Sequence, residues 1–289
     1  MEIGLVLGGG GARGSAHIGV IQALEARDLT PVAIAGCSMG AIVGAFCAAG
    51  FSAAEMQEIM SELTYQQLLS FGGMGGLIGG RKILTLLERH LPATFEELAH
   101  PLHVTTVDVQ TGELVVLRSG PLAPALRASS AIPGIFSPVE HRGFYLVDGG
   151  LLNNLPVDVI RTMTLHPVVA VDVAAPPNRK LDFGKDKPTL GQRIEAMVSG
   201  QESLLDGLFR RALTVELFMK TFDVPQRVMT EMRLAMQPPD LLIRPRLDPQ
   251  FGVEDFDRQV EAIEEGYRSA IAAIDRWLMS YGESRMGTS

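Results

Sequence analysis

The hydrophobic pattern at the start of the chain repeats one unit, a short apolar run followed by a glycine-containing loop and a helical segment. Residues 3–7 form an apolar run that ends in the consecutive glycines 8–11, which is typical of a buried strand entering a tight loop. Apolar residues then recur at helical spacing over 15–27. Residues 32–35 form a second buried run, and a second apolar helix is predicted over about 41–49. This order predicts an α/β fold with a mainly parallel central sheet and helices on both of its faces.

The remaining pattern predicts further strands and helices along the whole chain. We expect helices at 52–69, 81–90, 189–236 and 255–278, and strands at 103–109, 114–117, 144–147 and 168–173. The first two of these strands are predicted to form a hairpin. In the stretch 71–80, six of ten residues are glycine, and it is either a hinge or lid, or a solvent loop without a role.

The domain organisation follows from the absence of natural breaks in the sequence. We find no internal repeat and no linker rich enough in proline and serine to divide the chain. The sequence therefore predicts one domain, 1–289, with lid or cap insertions at 64–82 and 179–240 and a docking helix at 253–281. Residues 189–222 carry a broad apolar face, which either packs on protein, as core or as a homo-oligomer contact, or forms a lid that opens at a lipid interface.

Charge and composition narrow the class of protein. The chain has 25 basic and 33 acidic residues, a net charge of −8, which argues against a nucleic-acid partner because phosphates attract the opposite sign. Its 46% hydrophobic and 20% charged residues are typical of globular domains. Cys37 and Cys47 lack the spacing of a zinc site, and we expect no metal. An N-terminus without a basic segment, and no run of about 18 apolar residues, predict a cytoplasmic protein.

The strongest chemical signal is the sequence Gly36-Cys37-Ser38-Met39-Gly40, which matches the pattern G-x-S-x-G. It lies between a predicted strand and a predicted helix, the context in which a nucleophilic serine stands on a sharp turn. The flanking glycines, Gly36 and Gly40, leave room for strained backbone angles and for close packing of the helix on the strand. We therefore predict that Ser38 is a nucleophile; the alternative is a turn of small residues without a reactive serine.

The second signal is the glycine-rich loop 8–14, which contains the pattern G-x-G-x-x-G. A dinucleotide site would need an acidic residue at the end of the second strand, and that strand ends instead in the serine turn. Backbone N–H groups at the start of a helix can serve another purpose, the binding of a developing oxyanion. Arg13 in this loop either braces it, adds positive charge to it, or is an ordinary surface arginine.

The third signal is the sequence Asp148-Gly149-Gly150, which follows a predicted strand. A nucleophilic serine needs a base, and an acidic loop at the same edge of the sheet can supply one. Asp108 and Asp172 compete for this role because they also stand near strand ends. We prefer Asp148 as the base.

None of the six histidines fits the role of a triad base. Only His166 follows Asp148 in the chain, as a triad of the α/β-hydrolase order requires. It precedes a strand, so we expect it at the wrong edge of a parallel sheet. His17 lies on the first predicted helix, and we interpret it as a packing or loop-bracing residue.

The glycine-rich loop, the serine turn about 25 residues later and a distant Asp-Gly-Gly without a histidine together resemble the patatin-like phospholipase family. The segment 128–138 is also similar to the segment that precedes the acidic loop in that family. The resemblance is strong over about residues 3–175. Residues 241–245 and the closing helix are similar to small bacterial members related to neuropathy target esterase.

The resemblance implies a three-layer α/β sandwich and a serine acyl hydrolase that cleaves ester bonds of phospholipids, lysophospholipids or related acyl lipids. It implies a Ser–Asp dyad without cofactor, an acyl lipid as substrate, and a peripheral contact with the inner membrane surface. Carried over to this sequence, the site residues are Ser38 as nucleophile, Asp148 as base, and Gly9, Gly10 and Gly11, together with Arg13, at the oxyanion hole.

Two alternatives stay open beside this hypothesis. A catalytically silent lipid-binding or scaffold protein would show a broken serine turn or a missing acid, and neither is seen. A serine peptidase could use the same turn, and activity on acyl esters without cleavage of amides would separate the two.

Overall fold

The structure is a computed structural model that describes residues 1–61, 77–174, 220–253 and 255–286. Within these residues one sheet contains the strands β1 (Glu2–Leu7), β2 (Thr30–Cys37), β3 (Leu102–Asp108), β4 (Glu113–Leu117), β5 (Val139–His141), β6 (Phe144–Asp148), β7 (Val168–Val171) and β8 (Leu241–Ile243). The helices are α1 (Ala16–Glu25), α2 (Met39–Ala48), α3 (Ala53–Ser61), α4 (Leu77–His90), α5 (Leu122–Ser129), α6 (Val157–Ile160), α7 (220–236) and α8 (Gln259–Met286).

The sheet order is β5-β6-β3-β2-β1-β7-β8, with β4 paired to β3. Strands β3, β2, β1, β7 and β8 run parallel, whereas β4 and β6 are antiparallel to β3, and β5 is antiparallel to β6. The predicted α/β fold with a mainly parallel sheet is therefore confirmed, and so is the predicted hairpin of β3 and β4. The antiparallel placement of β5 and β6 was not predicted.

Side chains alternate between two cores on opposite faces of the sheet. In β1, Leu5 and Leu7 point into the larger core with α1, α2 and α8, and Val6 points into a smaller one with α6 and α7. Successive residues of a strand face opposite sides, so a continuous apolar run is the pattern of a strand that is covered on both faces. The three-layer arrangement is built on this alternation.

The edge of β3 explains how two distant parts of the chain meet. On one edge β3 pairs with β4 over residues 104–108. On the opposite edge, β2 pairs with residues 102–105 and β6 pairs with residues 106–108. Strand β6 therefore begins to pair with β3 at the point where β2 ends. Cys37 lies opposite Thr105 and Asp148 opposite Thr106. The carboxyl ends of β2 and β6 therefore point toward each other.

The closing helix α8 packs on α1 through two glycines. A Cβ on Gly19 of α1 would lie 1.9 Å from the carbonyl oxygen of Ile263, and a Cβ on Gly266 would lie 2.1 Å from that of Ala16. Larger residues at either position would push the two helices apart. The predicted docking helix is present, although it begins four residues later than the predicted Asp255, because Phe256–Arg258 forms a 3-10 turn.

The predicted insertions are described only in part. The helix predicted over 81–90 begins earlier, at Leu77, so the last four residues of the glycine-rich stretch 71–80 are helical. Residues 62–76 and 175–219, which include most of both predicted insertions and most of the amphipathic stretch 189–222, lie outside the described residues. The second insertion ends in α7, after which β8 returns the chain to the sheet beside β7.

Candidate active site

Ser38 occupies the turn between β2 and α2 with φ 52° and ψ −126°. Positive φ is uncommon for residues other than glycine, and such a conformation costs about 1–3 kcal/mol that the surrounding structure must offset. The residue is 8% exposed. The predicted sharp turn between strand and helix is thus present, and it holds the serine at the carboxyl edge of the sheet.

The glycines that flank the serine allow this turn for steric reasons. A Cβ on Gly40 would lie 2.1 Å from the carbonyl oxygen of Leu7, and a Cβ on Gly36 would lie 2.7 Å from the Cα of Ala41. Both contacts are with backbone, which cannot move aside as a flexible side chain can. The two glycines of the pattern G-x-S-x-G therefore allow α2 to pack closely against β1 and the end of β2.

The backbone of the serine turn is held from outside by Ser129, the last residue of α5. The N–H of Ser38 donates to Oγ of Ser129 over 2.8 Å, and that hydroxyl donates to the carbonyl oxygen of Thr105 over 2.8 Å. Two residues further on, the carbonyl of Ala131 accepts from the N–H of Asp148 over 3.0 Å. The segment 128–138 thus holds both Ser38 and Asp148 in place, a role that the sequence analysis did not assign.

Asp148 ends β6 beside the serine turn and is 3% exposed. Its Oδ1 accepts from the N–H of Gly150 over 2.8 Å and from the thiol of Cys37 over 3.5 Å. Burial raises the pKa of Asp148 to about 6, although hydrogen bonds from Gly150, the Ser38 side chain and Cys37 oppose this rise. The structure therefore brings the predicted nucleophile and the predicted base to the same end of the sheet, close enough for the Ser38 side chain to favour the ionised form of Asp148.

The two competing carboxylates have other partners. Asp108 caps the turn between β3 and β4, where it accepts from the backbone N–H groups of Gln110 and Thr111 and from the N–H of Tyr145. Asp172 accepts from the N–H of Ala174 and forms an ion pair with Arg244 at 2.9 Å. Of these three acids, Asp148 is the one whose pKa the Ser38 side chain affects.

The acidic loop needs its two glycines because other groups approach it closely. A Cβ on Gly149 would lie 2.4 Å from the carbonyl oxygen of Thr105. A Cβ on Gly150 would lie 2.2 Å from Nε2 of Gln226, which reaches the site from α7. Gly149 thus lets the loop pass over β3, and Gly150 lets the side chain of Gln226 approach the carboxylate.

The glycine-rich loop presents backbone N–H groups at the same edge of the sheet. The N–H of Gly9 donates to the carbonyl of Asn154 over 3.3 Å, and that of Ala12 donates to Val253 over 2.8 Å. Within the described residues, no acceptor binds the N–H of Gly10 or Gly11. These two N–H groups are therefore the ones available to an oxyanion. Gly9 contributes its small size, since a Cβ there would lie 3.1 Å from Cβ of Ser38.

Arg13 is buried, with 2% of its surface exposed, so it is not an ordinary surface arginine. Its Nε donates to the carbonyl of Val173 over 3.0 Å, and a terminal nitrogen donates to that of Phe251 over 3.5 Å. These bonds tie the loop to the end of β7 and to the segment before α8. They favour the bracing alternative over a direct contact with an oxyanion.

His17 and His166 lie where the sequence analysis expects them. His17 is fully buried on α1, with Nε2 2.7 Å from the carbonyl oxygen of Gly8, and burial lowers its pKa to about 4. It is neutral at pH 7 and braces the loop. His166 lies at the opposite edge of the sheet, 3.1 Å from Glu2.

Neither a metal centre nor a membrane span is found in the part of the chain that the structure describes. No three His, Cys, Asp or Glu side chains there are grouped as metal ligands would be. None of the described helices is both long and apolar enough to cross a bilayer.

Comparison with known proteins identifies relatives of the chain. The family model of patatin-like phospholipases matches residues 5–161. An uncharacterised NTE family protein of Mycobacterium tuberculosis is 31% identical over 344 residues, which cover 99% of this chain and 95% of the relative. Lysophospholipase NTE1 of Mycosarcoma maydis is 30% identical over 96% of this chain and 15% of its own length. VipD from Legionella pneumophila, of known crystal structure, gives a TM-score of 0.48 at 15% identity, over 95% of this chain and 67% of that one.

Proposed function

The chain belongs to the patatin-like phospholipase family, and from this premise we propose that it hydrolyses ester bonds of phospholipids, lysophospholipids or related acyl lipids with a dyad of Ser38 and Asp148. One observation carries the proposal. The buried carboxylate of Asp148 lies beside a serine that stands on a strained turn, and the side chain of that serine opposes the rise in the pKa of the carboxyl. The similarity to a lysophospholipase supports the substrate class.

In the proposed reaction Asp148 acts as the general base. An ordinary carboxyl with a pKa near 4 is a weak base for a hydroxyl group, and burial that raises the pKa to about 6 makes it stronger while it stays ionised at pH 7. The Oγ of Ser38 attacks the ester carbonyl as its proton passes to Asp148. The carboxyl then gives this proton to the oxygen of the departing alcohol.

The negative charge that develops on the carbonyl oxygen needs donors that are fixed in advance. In our proposal the N–H groups of Gly10 and Gly11 supply them, because both lack an acceptor within the described residues. Backbone donors of this kind cost no reorganisation during the reaction, and removing one donor typically slows an enzyme about 10²–10³-fold. Water finally releases the acyl group from Ser38.

A fluorophosphonate probe tests the nucleophile directly. We expect the probe to label Ser38, and Ser38→Ala to lose both the labelling and the hydrolysis of lysophosphatidylcholine, by about 10⁴–10⁶-fold in kcat. Ser130→Ala is the matched control, because its hydroxyl binds the carbonyl of Leu126 within helix α5. Labelling of Ser38→Ala to the wild-type extent contradicts the proposal.

The substrate class is tested separately with a panel of acyl esters, phospholipids and matched amides. We expect cleavage of esters without cleavage of amides, because the site follows the pattern of a lipid hydrolase. Amide cleavage at a comparable kcat/KM would favour the peptidase alternative.

A further inference from the structure

Asn154 is a buried residue beside the proposed dyad that the mechanism so far does not use. It is 2% exposed. Its side-chain Nδ2 donates to the backbone carbonyl oxygen of Gly9 over 3.1 Å, and its backbone carbonyl oxygen accepts from the N–H of Gly9 over 3.3 Å. This double contact fixes the orientation of the side-chain amide, so that Oδ1 must point away from the Gly9 carbonyl.

The Oδ1 of Asn154 is a buried acceptor that needs a donor. Within the described residues no hydrogen-bond donor reaches it. It lies 2.5 Å from the point where a Cβ on Gly9 would stand, and Cβ of Ser38 lies 3.1 Å from the same point. A buried acceptor without a donor costs about 1–3 kcal/mol, which makes this atom a marker for a bound polar group next to the nucleophile.

The polar atoms that surround Gly150 identify where that group would bind. Three polar atoms border the position of the absent Cβ: Nε2 of Gln226 at 2.2 Å, Oδ1 of Asp148 at 3.0 Å and Oδ1 of Asn154 at 3.2 Å. They come from α7, the end of β6 and the segment after it. We call this arrangement of Asp148, Asn154 and Gln226 around Gly150 the polar corner.

The polar corner combines one donor with two acceptors, which is the complement of a water molecule. Water can donate one hydrogen to the carboxylate of Asp148 and the other to Oδ1 of Asn154, and it can accept from Nε2 of Gln226. Two to four polar partners of this kind are what buried water molecules require in proteins. A carbon atom in the same place would leave Oδ1 of Asn154 without a donor.

We propose that the polar corner binds the water that hydrolyses the acyl-enzyme, an inference that rests on the proposed function. The water oxygen attacks the acyl carbon on Ser38 while one proton passes to Asp148. The bond from the acyl carbon to Oγ then breaks, Oγ recovers the proton from Asp148, and the fatty acid leaves. Asn154 and Gln226 orient the water by accepting its second hydrogen and donating to its lone pair.

The test separates deacylation from acylation with a p-nitrophenyl ester. Release of p-nitrophenol in rapid mixing reports acylation, and mass spectrometry of quenched samples follows the decay of acyl-Ser38. In Gln226→Leu, which removes the donor, we expect deacylation to slow roughly three- to tenfold while acylation changes by less than about twofold. Val228→Ala on the same helix is the control, since Val228 is 50% exposed and we expect neither rate to change.

Gly150→Ala is the second variant, because its methyl group would lie 2.2 Å from Nε2 of Gln226 and would push this donor away from the water. Its backbone is free of positive φ, and the closest atom belongs to the flexible Gln226 side chain, so the fold can accept alanine. We expect deacylation to slow at least as much as in Gln226→Leu, and added methanol to rescue turnover less than in the wild type. If Gly150→Ala does not fold, Gln226→Leu decides alone.

The outcomes are distinguishable from failure of the proposed function. If the wild type forms no acyl-Ser38, the dyad itself is refuted. If acyl-Ser38 forms and both variants deacylate at the wild-type rate, or lose acylation and deacylation equally, only the water site is overturned. A rise in KM confined to lysophosphatidylcholine, with deacylation unchanged, would mean that the corner binds a substrate hydroxyl and would also overturn it.

Discussion

The serine side and the aspartate side of the candidate site are built by different means. Ser38 is placed by its own neighbours in the sequence, because Gly36 and Gly40 allow the turn between β2 and α2. Asp148 is placed by a partner far away in the chain, because β6 pairs with the end of β3 that extends beyond β2. One half of the site is local and the other half depends on the assembled sheet.

The two sides also store different kinds of free energy. Ser38 carries backbone strain of about 1–3 kcal/mol at φ 52°. Asp148 carries a desolvation cost, since a pKa raised from 3.8 to about 6 corresponds to about 3 kcal/mol against the ionised form. The reactivity of the serine therefore depends on its backbone geometry, and that of the aspartate depends on its buried environment.

After the loss of the nucleophile itself, the largest effect is expected when the base is removed from the aspartate side. Asp148→Asn keeps the shape of the side chain but cannot take a proton, and we expect kcat to fall about 10²–10⁴-fold, the usual contribution of a general base. Steady-state hydrolysis of a soluble acyl ester measures it. His166→Gln, at the opposite edge of the sheet, should keep most activity. A comparable loss at any single histidine in a folded protein would restore the triad hypothesis.

The same substitution should stabilise the protein at neutral pH. The folded-state pKa of Asp148 is raised above its unfolded value, so the stability it contributes is complete below about pH 4 and is lost as pH rises through about 6. The amide of Asp148→Asn stays neutral at every pH. The free energy of unfolding of this variant, relative to that of the wild type, should therefore rise by about 2 kcal/mol between pH 4 and pH 7.5. Denaturant titrations at both pH values measure this difference.

Asp108 provides the opposite case for this stability measurement. Burial alone would raise its pKa, but hydrogen bonds from Thr111, Tyr145 and Gln110 outweigh burial and lower it. Asp108→Asn should therefore lose stability relative to the wild type as pH rises through the acid range. If both variants respond to pH with the same sign, the desolvation account of Asp148 fails.

The pH profile of activity follows from the same carboxyl. Only ionised Asp148 can accept the proton of Ser38, so kcat/KM should be flat above about pH 7 and fall about tenfold for each unit below the pKa of about 6. Cys37→Ala removes a donor to the carboxylate and should move the midpoint to higher pH. Cys47→Ala, a buried cysteine of the apolar core, should leave it unchanged. A midpoint near pH 4 in the wild type would show that Asp148 is well hydrated.

The smallest of these effects concerns the support of the serine turn. Ser129→Ala removes the hydroxyl that accepts from Ser38 and donates to Thr105, which leaves two buried backbone groups unpaired. We expect a loss of about 1–3 kcal/mol in the free energy of unfolding and a fall in kcat of roughly three- to tenfold, with the pH midpoint unchanged. An altered midpoint would mean that Ser129 acts on Asp148 and not on the turn.

Much of the fold and of the reactive groups could be predicted from the sequence, because these features depend on neighbours. The apolar runs predicted β1, β2 and β7, which are buried on both faces, and the helical spacing predicted α1, α2 and α8. The position of Ser38 on a strand–helix turn is likewise local. The helical start of α4 at residues 77–80 was missed, because glycine-rich sequence favours a loop on propensity alone.

Other features of the site were decided by contacts between distant residues. Sequence alone favoured Asp148 over Asp108 and Asp172, although all three stand near strand ends; the register of β6 on β3 then brings Asp148 to the serine turn. The glycine pattern pointed to an anion-binding loop, but only the contact with Asn154 distinguishes Gly9 from its neighbours.

By itself the sequence determined the chemical groups and the local geometry of the serine, because small residues at fixed spacing control how sharply a chain can turn. The tertiary structure decided which acid lies beside Ser38, which backbone N–H groups remain available, and that Asn154 and Gln226 converge at Gly150. These features depend on contacts between segments that are far apart in the chain, such as those of Asn154 and Gln226, which are more than 70 residues apart. The local hydrophobic pattern does not indicate which distant segments will come into contact.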